Sequence, residues 1–591
     1  MKKSIILSLV CAAVLGGISV TSCDVLEKVP GSDVTEDTIF STQRDFESFL
    51  FGTYTIGLHS YYAYWSQNGS RNPNPTMCIT AGMTDEAEMP ATWQACQNWN
   101  SAAIQKASIV SQEDRRWTLR YDALRRANII IERVMDTDFC GDAQKRGYRG
   151  EALFIRALNH FEIFKRYGGM PIVDKRFGVA DDWNVPRSSV EDYVNFMVSD
   201  CDAAAEDLRG ITYAENQRGR ITRAAALTLK AKILLFAASP LFNTGTPYLP
   251  TDHPELVCYT NFDRNRWKLA ADAAQEALTE CAAEGFHILN TGDPENDYRK
   301  VWEEYDNPEI ILAEKFAGNL GNWTQPWVYI LPNGLNMNGW SDSGVGITHN
   351  FVAKYEKMDG TPMQWNEPGV VGDDIMDKYA QLDPRFRQTA AYNGSLWNNS
   401  YPEMKLYKDA PGDSPNAGSN VTGVLMHKLI PRSLENQGSN YQKTPNGTLF
   451  RVAELYLNLA EALNEYGDSP SQDVYDAVNV VRARAGMPGL PAGLSKDQMR
   501  ERIKNERAIE LSFEDHRFWD IRRWMDAEQE GVMKGKFYKE VLIYKSGSFL
   551  NMKCDYTIEL LEERSFNRNM YLHPIVESEV NKGYLTQNPG W

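Results

Sequence analysis

The sequence predicts a mainly α protein, in which paired amphipathic helices build a superhelical scaffold that carries long irregular loops and few short strands. Three observations predict it. Apolar residues recur at helical spacing in windows that come in pairs. Alanines are frequent on those apolar stripes, which lets neighbouring helices approach closely. Two stretches, residues 58–101 and 287–447, lose the period and fill instead with Tyr, Trp, Asn, Gly and Pro.

Phe46, Leu50 and Tyr54, four residues apart, predict a first helix over 44–56. Residues 113–135 carry Trp117, Tyr121, Leu124, Asn128 and Ile131 on one stripe. Residues 149–167 carry Leu153, Ala157, Phe161 and Phe164, and Gly168-Gly169 ends that helix. Residues 190–208 and 223–236 form a second pair, and 267–281 is a further alanine-rich helix. Residues 449–466 and 474–485 make another pair, and 496–524 reads as mostly helical. Helix pairs of this length resemble tetratricopeptide units, in which each pair buries its face on the next. The body therefore reads as one unit over 35–591. It has an N-terminal helical part (35–286) with a loop region at 58–101, an irregular part (287–447) and a C-terminal helical part (448–591). A structureless stretch as long as 287–447 does not suit a compact domain, so it is expected to pack as loops and short strands against the helices. Loops on a rigid scaffold are where binding concentrates.

Composition excludes several functions. The 591 residues carry a formal net charge of −17. That sign repels phosphate backbones and anionic lipid heads, so neither nucleic acid nor a basic membrane-docking face is expected. The N-terminus supplies another route to a membrane. Lys2 and Lys3 precede an apolar run from Ile5 to Leu15, too short to span a bilayer but suited to a secretory signal over 1–22. Val20-Thr21-Ser22-Cys23 resembles a bacterial lipobox, in which Cys23 is acylated and becomes the mature N-terminus, with 23–34 as a tether. The other reading is an ordinary signal cut after Ser22. Of the nine cysteines, the seven besides Cys11 and Cys23 are scattered and odd in number, which suits buried free thiols better than a disulfide framework. Cys78 and Cys96 are the alternative, as a pair that could bond.

Chemistry-bearing patterns are few. The eight histidines are dispersed, and no HExxH, GxSxG, Walker A or strand-associated GxGxxG occurs, so no metal, cofactor or nucleophile is expected. Glu506, Glu510 and Glu514 lie with Arg507, Arg517, Asp520 and Arg523 on one helical stretch. Paired carboxylates serve glycoside hydrolysis. Yet Arg502 precedes Glu506 by four residues, Arg507 precedes Glu510 by three, and Arg517 follows Glu514 by three. That spacing suits ion pairs on a helix face, or bidentate arginine–carboxylate locks between helices. Carboxylates so paired are poor proton donors, so no catalytic residue is assigned. Glu151 with Arg156, and Glu454 with Glu461, are read the same way. His160 reads as a packing histidine.

The aromatic loops are the better signal for binding. Trp65 stands in a Tyr-rich run. Asp85 precedes Trp93, Asn98, Trp99 and Asn100; Trp323, Trp327, Tyr329 and Trp340 stand in the second region. A sugar ring offers an apolar face of C–H bonds and a belt of hydroxyls. Flat aromatics cover the face, and Asn and Asp bond the belt. These ten residues are the candidate ligand contacts, and about one in three of the aromatics is expected to touch ligand, since most large aromatics are core.

Several segments together resemble the SusD/RagB family of outer-membrane nutrient-binding lipoproteins. Cys23-Asp24-Val25-Leu26 with Pro30 looks like its opening. Arg149-Gly150-Glu151-Ala152-Leu153-Phe154-Ile155-Arg156-Ala157, running to Tyr167-Gly168-Gly169-Met170-Pro171, looks like its main helix and the turn that follows. Arg451 to Ala462, Asn479 to Gly486, Glu506 to Trp524, and the end with His573-Pro574-Ile575 and Gln587-Asn588-Pro589-Gly590-Trp591 resemble further motifs in family order. The resemblance implies a SusD-like helical fold and a lipid-anchored, surface-exposed protein at the outer membrane. It also implies that the chain binds a glycan or oligosaccharide without cleaving it, and that a SusC-like TonB-dependent transporter is its partner. A peptide-binding member of the family, a glycoside hydrolase and a protein-only scaffold are the alternatives. One departure is Asp24, which in some bacteria retains a lipoprotein at the inner membrane, so the surface placement rests on the resemblance.

Overall fold

The computed structural model describes residues 35–58, 80–92, 94–113, 116–314, 332, 344–408, 420–433, 446–547 and 551–591. Its principal helices are α1 (Gln43–Gly57), α2 (Trp117–Arg133), α3 (Asp142–Tyr167), α4 (Val190–Asp207), α5 (Arg223–Ala238), α6 (Asn265–Glu284), α7 (Pro294–Glu303), α8 (Val452–Tyr466), α9 (Gln472–Arg484), α10 (Lys496–Glu510) and α11 (Arg517–Arg523). They pack in a continuous file, from α1 onto α2 and then successively through α6, from α6 onto α8, and from α8 onto α9 and α10. The mainly α scaffold of packed helix pairs read from the sequence is the scaffold observed.

Local chemistry sets the boundaries. Thr42, Ser189, Thr222 and Ser495 cap α1, α4, α5 and α10, each accepting a hydrogen bond from the first-turn backbone. Ser495 and Gln498 form a reciprocal capping box. The α5–α6 contact runs on buried alanines, among them Ala224, Ala231, Ala270 and Ala274. Helix α3 ends at Gly168, whose φ of 76° suits glycine. A Cβ on Gly169 would stand 2.1 Å from the Ser188 carbonyl oxygen, so this turn excludes any side chain.

Among the described residues there are nine strands, β1 in the N-terminal part and the others in the irregular part and the C-terminus. A four-stranded sheet has the order β1 (Ala87–Glu88), β3 (Gly346–Ile347), β6 (Leu425–Met426), β4 (Ala390–Ala391). Strand β2 (Ile310–Glu314) pairs antiparallel with β7 (Gly447–Arg451). The third sheet joins β5 (Tyr407–Lys408) to the hairpin of β8 (Gly535–Ser546) and β9 (Lys553–Arg564).

Several assignments differ from the sequence reading; the helix predicted over 149–167, for one, begins at Asp142. The predicted helix over 449–466 begins at Val452, because 447–451 are committed to the ladder with β2. The stretch 496–524 breaks after α10 into a turn with left-handed Phe513 (φ 61°) and Asp515 (φ 60°). The C-terminal part is not wholly helical, since β8 and β9 run twelve residues each.

Candidate functional site

Described parts of the two aromatic segments meet in one small sheet. The first segment returns to described backbone at Thr80 and reaches β1; the second returns at Gly344 and reaches β3. Ala87 pairs with Ile347 and Glu88 with Gly346. Thr348 ties the two returns again: its hydroxyl donates to the Asp85 carbonyl, and its N–H to the Glu86 carbonyl at 3.3 Å. Segments some 260 residues apart in sequence thus share one anchor; Thr348 and Asp85 are separated by 263 positions.

The acidic run 85–88 fastens this anchor to the C-terminal part. Arg517 grips both carboxylate oxygens of Asp85 at 2.8 Å, and Lys354 stands 3.3 Å away. Burial raises the Asp85 carboxyl, but Arg517 and Lys354 outweigh it and hold it below its ordinary range. Glu86 accepts the Phe513 N–H at 2.9 Å, and Thr80 donates to Asp515 at 2.6 Å. These bonds hold the two left-handed residues of the α10–α11 turn, a conformation costly for a bulky side chain. Glu88 meets Arg564 at 2.7 Å and accepts from Gln97 at 2.7 Å. Arg564 also donates to the carbonyls of Thr84 (2.6 Å) and Ala87 (3.0 Å).

Burial pushes the Glu86 carboxyl up to about 8 from an ordinary 4.5, with the Phe513 N–H acting against that and the Asp85 charge adding to it. Between those two values the folded protein holds a proton that the unfolded chain has released. This contribution to stability is fully present below pH 4.5 and is lost as pH rises through 8. Glu86→Gln keeps an oxygen for Phe513 and removes the titration. It is expected to stabilise the protein over wild type by a margin that widens from pH 5 to 8, to on the order of 2–4 kcal/mol. Thermal unfolding of both proteins across that range checks this, and parallel curves would refute it.

Four of the ten predicted contacts fall on described residues, and three of them are interior. Asp85 is fully buried, with both carboxylate oxygens taken by Arg517. Trp99 is 1% exposed, its ring edge-on to Phe518 at 5.1 Å and tilted on His573 at 4.9 Å. Asn100 is buried and donates to the Gly82 carbonyl at 3.1 Å. These three are corrected from surface contacts to parts of the anchor, because burial removes all three side chains from the surface where a sugar would meet them. Asn98 is half-buried on the short helix Cys96–Asn100. Trp65, Trp93, Trp323, Trp327, Tyr329 and Trp340, and the lipidation residue Cys23, lie outside the described residues.

The carboxylates weighed as catalysts have different partners from those the spacing suggests. Glu506 meets Arg385 (2.6 Å) and Arg482 (2.9 Å) rather than Arg502. Glu510 meets Arg385, Arg451 and Arg484, and Glu514 meets Arg451 and Lys428. Arg507 turns to Asp520, Glu151 pairs with Arg220, Arg156 with Asp200, Glu454 with Lys232, and Glu461 with Arg523. The locks join elements rather than lining one helix face. Burial raises the Glu510 carboxyl, and the surrounding Arg484, Arg451 and Arg385 outweigh that and bring it below the usual carboxylate range, the opposite of a proton donor. His160 is buried against Tyr193, and burial lowers it to about 3, so it packs as a neutral ring. Cys201, Cys258, Cys281 and Cys554 are buried free thiols, and Cys78, the partner considered for Cys96, lies outside the described residues. Among the described residues, no group of three or more His, Cys, Asp or Glu side chains is placed to hold a metal ion, and no helix is long and apolar enough to cross a membrane.

Trp183 was not marked by any pattern in the sequence. It stands in the polar run Asp181-Asp182-Trp183-Asn184, and only its 57% exposure distinguishes it.

Comparison with known proteins finds likeness over nearly the whole chain. A family described as "SusD family" matches residues 308–591, and one described as "Starch-binding associating with outer membrane" matches 34–235. The chain is 23% identical over 533 residues to SusD-like protein P38 of Formosa agariphila, covering 85% of this chain and 88% of that one. It is 21% identical over 534 residues to a SusD-like protein of Bacteroides ovatus, covering 88% and 82%. Among solved structures, a SusD-like protein of Bacteroides fragilis superposes with a TM-score of 0.75 at 24% identity, covering 94% of this chain and 99% of that one. A laminarin-binding SusD-like protein superposes at 0.60 with 19% identity, covering 93% and 100%.

Proposed function

We propose, for a chain that belongs to the SusD family, that it is a lipoprotein of the outer-membrane surface, anchored through Cys23. It captures a glycan or oligosaccharide and passes it uncleaved to a SusC-like TonB-dependent transporter. The observation that carries this reading is the shared anchor: Ala87 pairs with Ile347, so the returns of two aromatic-rich segments leave from one sheet. Trp65, Trp93, Asn98, Trp323, Trp327, Tyr329 and Trp340 are the contacts we assign, the tryptophans stacking on pyranose faces and Asn98 bonding hydroxyls. Interior ion pairs of the carboxylates support binding without bond cleavage. Acyl chains on Cys23, each buried methylene contributing about 0.8 kcal/mol, would hold the site beside the transporter.

The test is calorimetric titration of the chain from Asp24 onward with neutral oligosaccharides, laminarin fragments included. Binding is expected without product release. Trp93→Ala, Trp323→Ala and Trp327→Ala are each expected to weaken it up to roughly tenfold, as lost stacking requires. Binding of peptides but no saccharide, or release of cleaved sugar, would sink the reading.

A further inference from the structure

A second aromatic groove lies between α2, the 171–185 segment and the C-terminal tail. Its volume is about 570 Å³, within the range that holds a small ligand. Trp117 and Tyr121, one turn apart on α2, line one wall; Phe177 and Trp183 line another; Tyr584 closes it. The walls are braced before any ligand arrives. Trp117 stands edge-on to Tyr121 at 5.2 Å and to Tyr167 at 5.3 Å. Asn128 donates to the carbonyls of Val173 (3.1 Å) and Lys175 (2.9 Å), and Arg125 to that of Phe177 (2.9 Å).

Trp183 is the unusual member. Its indole N–H is spent on the Gly178 carbonyl at 3.1 Å, and its ring leans on Phe177 at 5.4 Å. Asp181 and Asp182 accept the N–H groups of Gly178 (2.7 Å) and Asn184 (2.9 Å), which fixes the turn. The indole therefore has no polar need left and offers only its face, more than half exposed. Such a face suits the C–H side of a pyranose ring.

The rim narrows the ligand class. Asp122 is taken by Arg126 at 3.3 Å and Glu579 by Lys582 at 2.6 Å. Arg125 and Lys175 have no carboxylate partner among the described residues and line the same groove. Unmatched positive charge here contrasts with a net charge of −17 for the chain. We propose that this groove is a second saccharide site, which stacks a ring on Trp183 and holds a carboxylate of that sugar with Arg125 and Lys175. It goes beyond the loop site, since neither depends on the other's residues.

The experiment titrates the chain from Asp24 onward with a galacturonic acid trisaccharide and with the same trisaccharide after carboxyl reduction, following tryptophan fluorescence and heat. The acidic sugar is expected to bind more tightly, and its affinity to fall with salt. Trp183→Ala should weaken binding about tenfold and Trp183→Phe much less. Lys175→Ala should weaken only the acidic sugar and flatten its salt dependence. No binding of the acidic trisaccharide, or unchanged binding by Trp183→Ala, overturns the proposal. Loss on Trp323→Ala without loss on Trp183→Ala also overturns it, while leaving the loop site standing.

Discussion

Glu510→Gln is expected to destabilise the protein by about 3–5 kcal/mol, the range for removing one partner from a buried ion pair. Glu510 is fully buried and meets Arg451 at 2.7 Å, Arg385 at 2.9 Å, and Arg484. Those arginines come from the end of β7, the helix Pro384–Thr389 and the end of α9, so one carboxylate joins three segments to α10. Its neighbours cannot take over. Glu309 already bonds Arg451 and Arg484 at 2.8 Å each, and Glu514 and Glu506 are engaged with Arg451 and Arg385. An amide keeps the shape but not the charge, leaving guanidinium groups in the interior with less than their counter-charge. Denaturant and thermal unfolding should show the loss at pH 7. The sign with pH follows from a lowered carboxyl: the stabilisation is present above the ordinary 4.5 and fades as pH falls toward the folded value. The gap between variant and wild type should therefore narrow in acid. A glycosidase acid at this position makes the opposite prediction, a variant as stable as wild type that has lost product release.

The helices were legible because each rests on local information. Phe46, Leu50 and Tyr54 mark the buried stripe of α1, with Phe46 and Leu50 fully buried, and Gly168-Gly169 marks the end of α3 because only glycine fits that turn. The partners of the acids were not legible. Spacing along one helix proposes Arg502 for Glu506, whereas the fold supplies Arg385 from 121 positions away. The β8–β9 hairpin carries a fainter signal: Cys554, Tyr556 and Ile558 are buried two residues apart, but Thr557 between them is buried as well, which blurs the period of two. Trp99 and Trp183 show the same limit from both sides. Composition puts Trp99 among Asn residues, as a binding loop would, yet it is core; it puts Trp183 among Asp residues, yet its ring faces solvent.

Asp85→Asn separates the two readings of the acidic run. As a ligand contact, Asp85 would lose affinity on substitution and leave the unliganded protein as stable as before. The geometry requires the reverse. Asp85 has no exposed side-chain surface, and Arg517, its bidentate partner, keeps 8%. The variant takes from that guanidinium its bidentate carboxylate and from Lys354 the one at 3.3 Å, at a cost of about 2–4 kcal/mol. Lys354→Met, which removes a partner whose side chain is 26% exposed, should cost well under half as much. Because the Asp85 carbonyl also receives Thr348, loosening it frees the β1–β3 pairing, so the backbone amide of Thr348, which donates to the Glu86 carbonyl, should exchange faster in the unliganded variant. Saccharide affinity should then fall as a consequence of the looser anchor. An Asp85→Asn/Arg517→Met cycle measures the coupling: the double variant should be more stable than the sum of the single losses predicts, because it no longer buries an unpaired guanidinium. Additive losses, with unliganded stability unchanged in Asp85→Asn, would return Asp85 to the ligand and remove the anchor as the basis of the loop site.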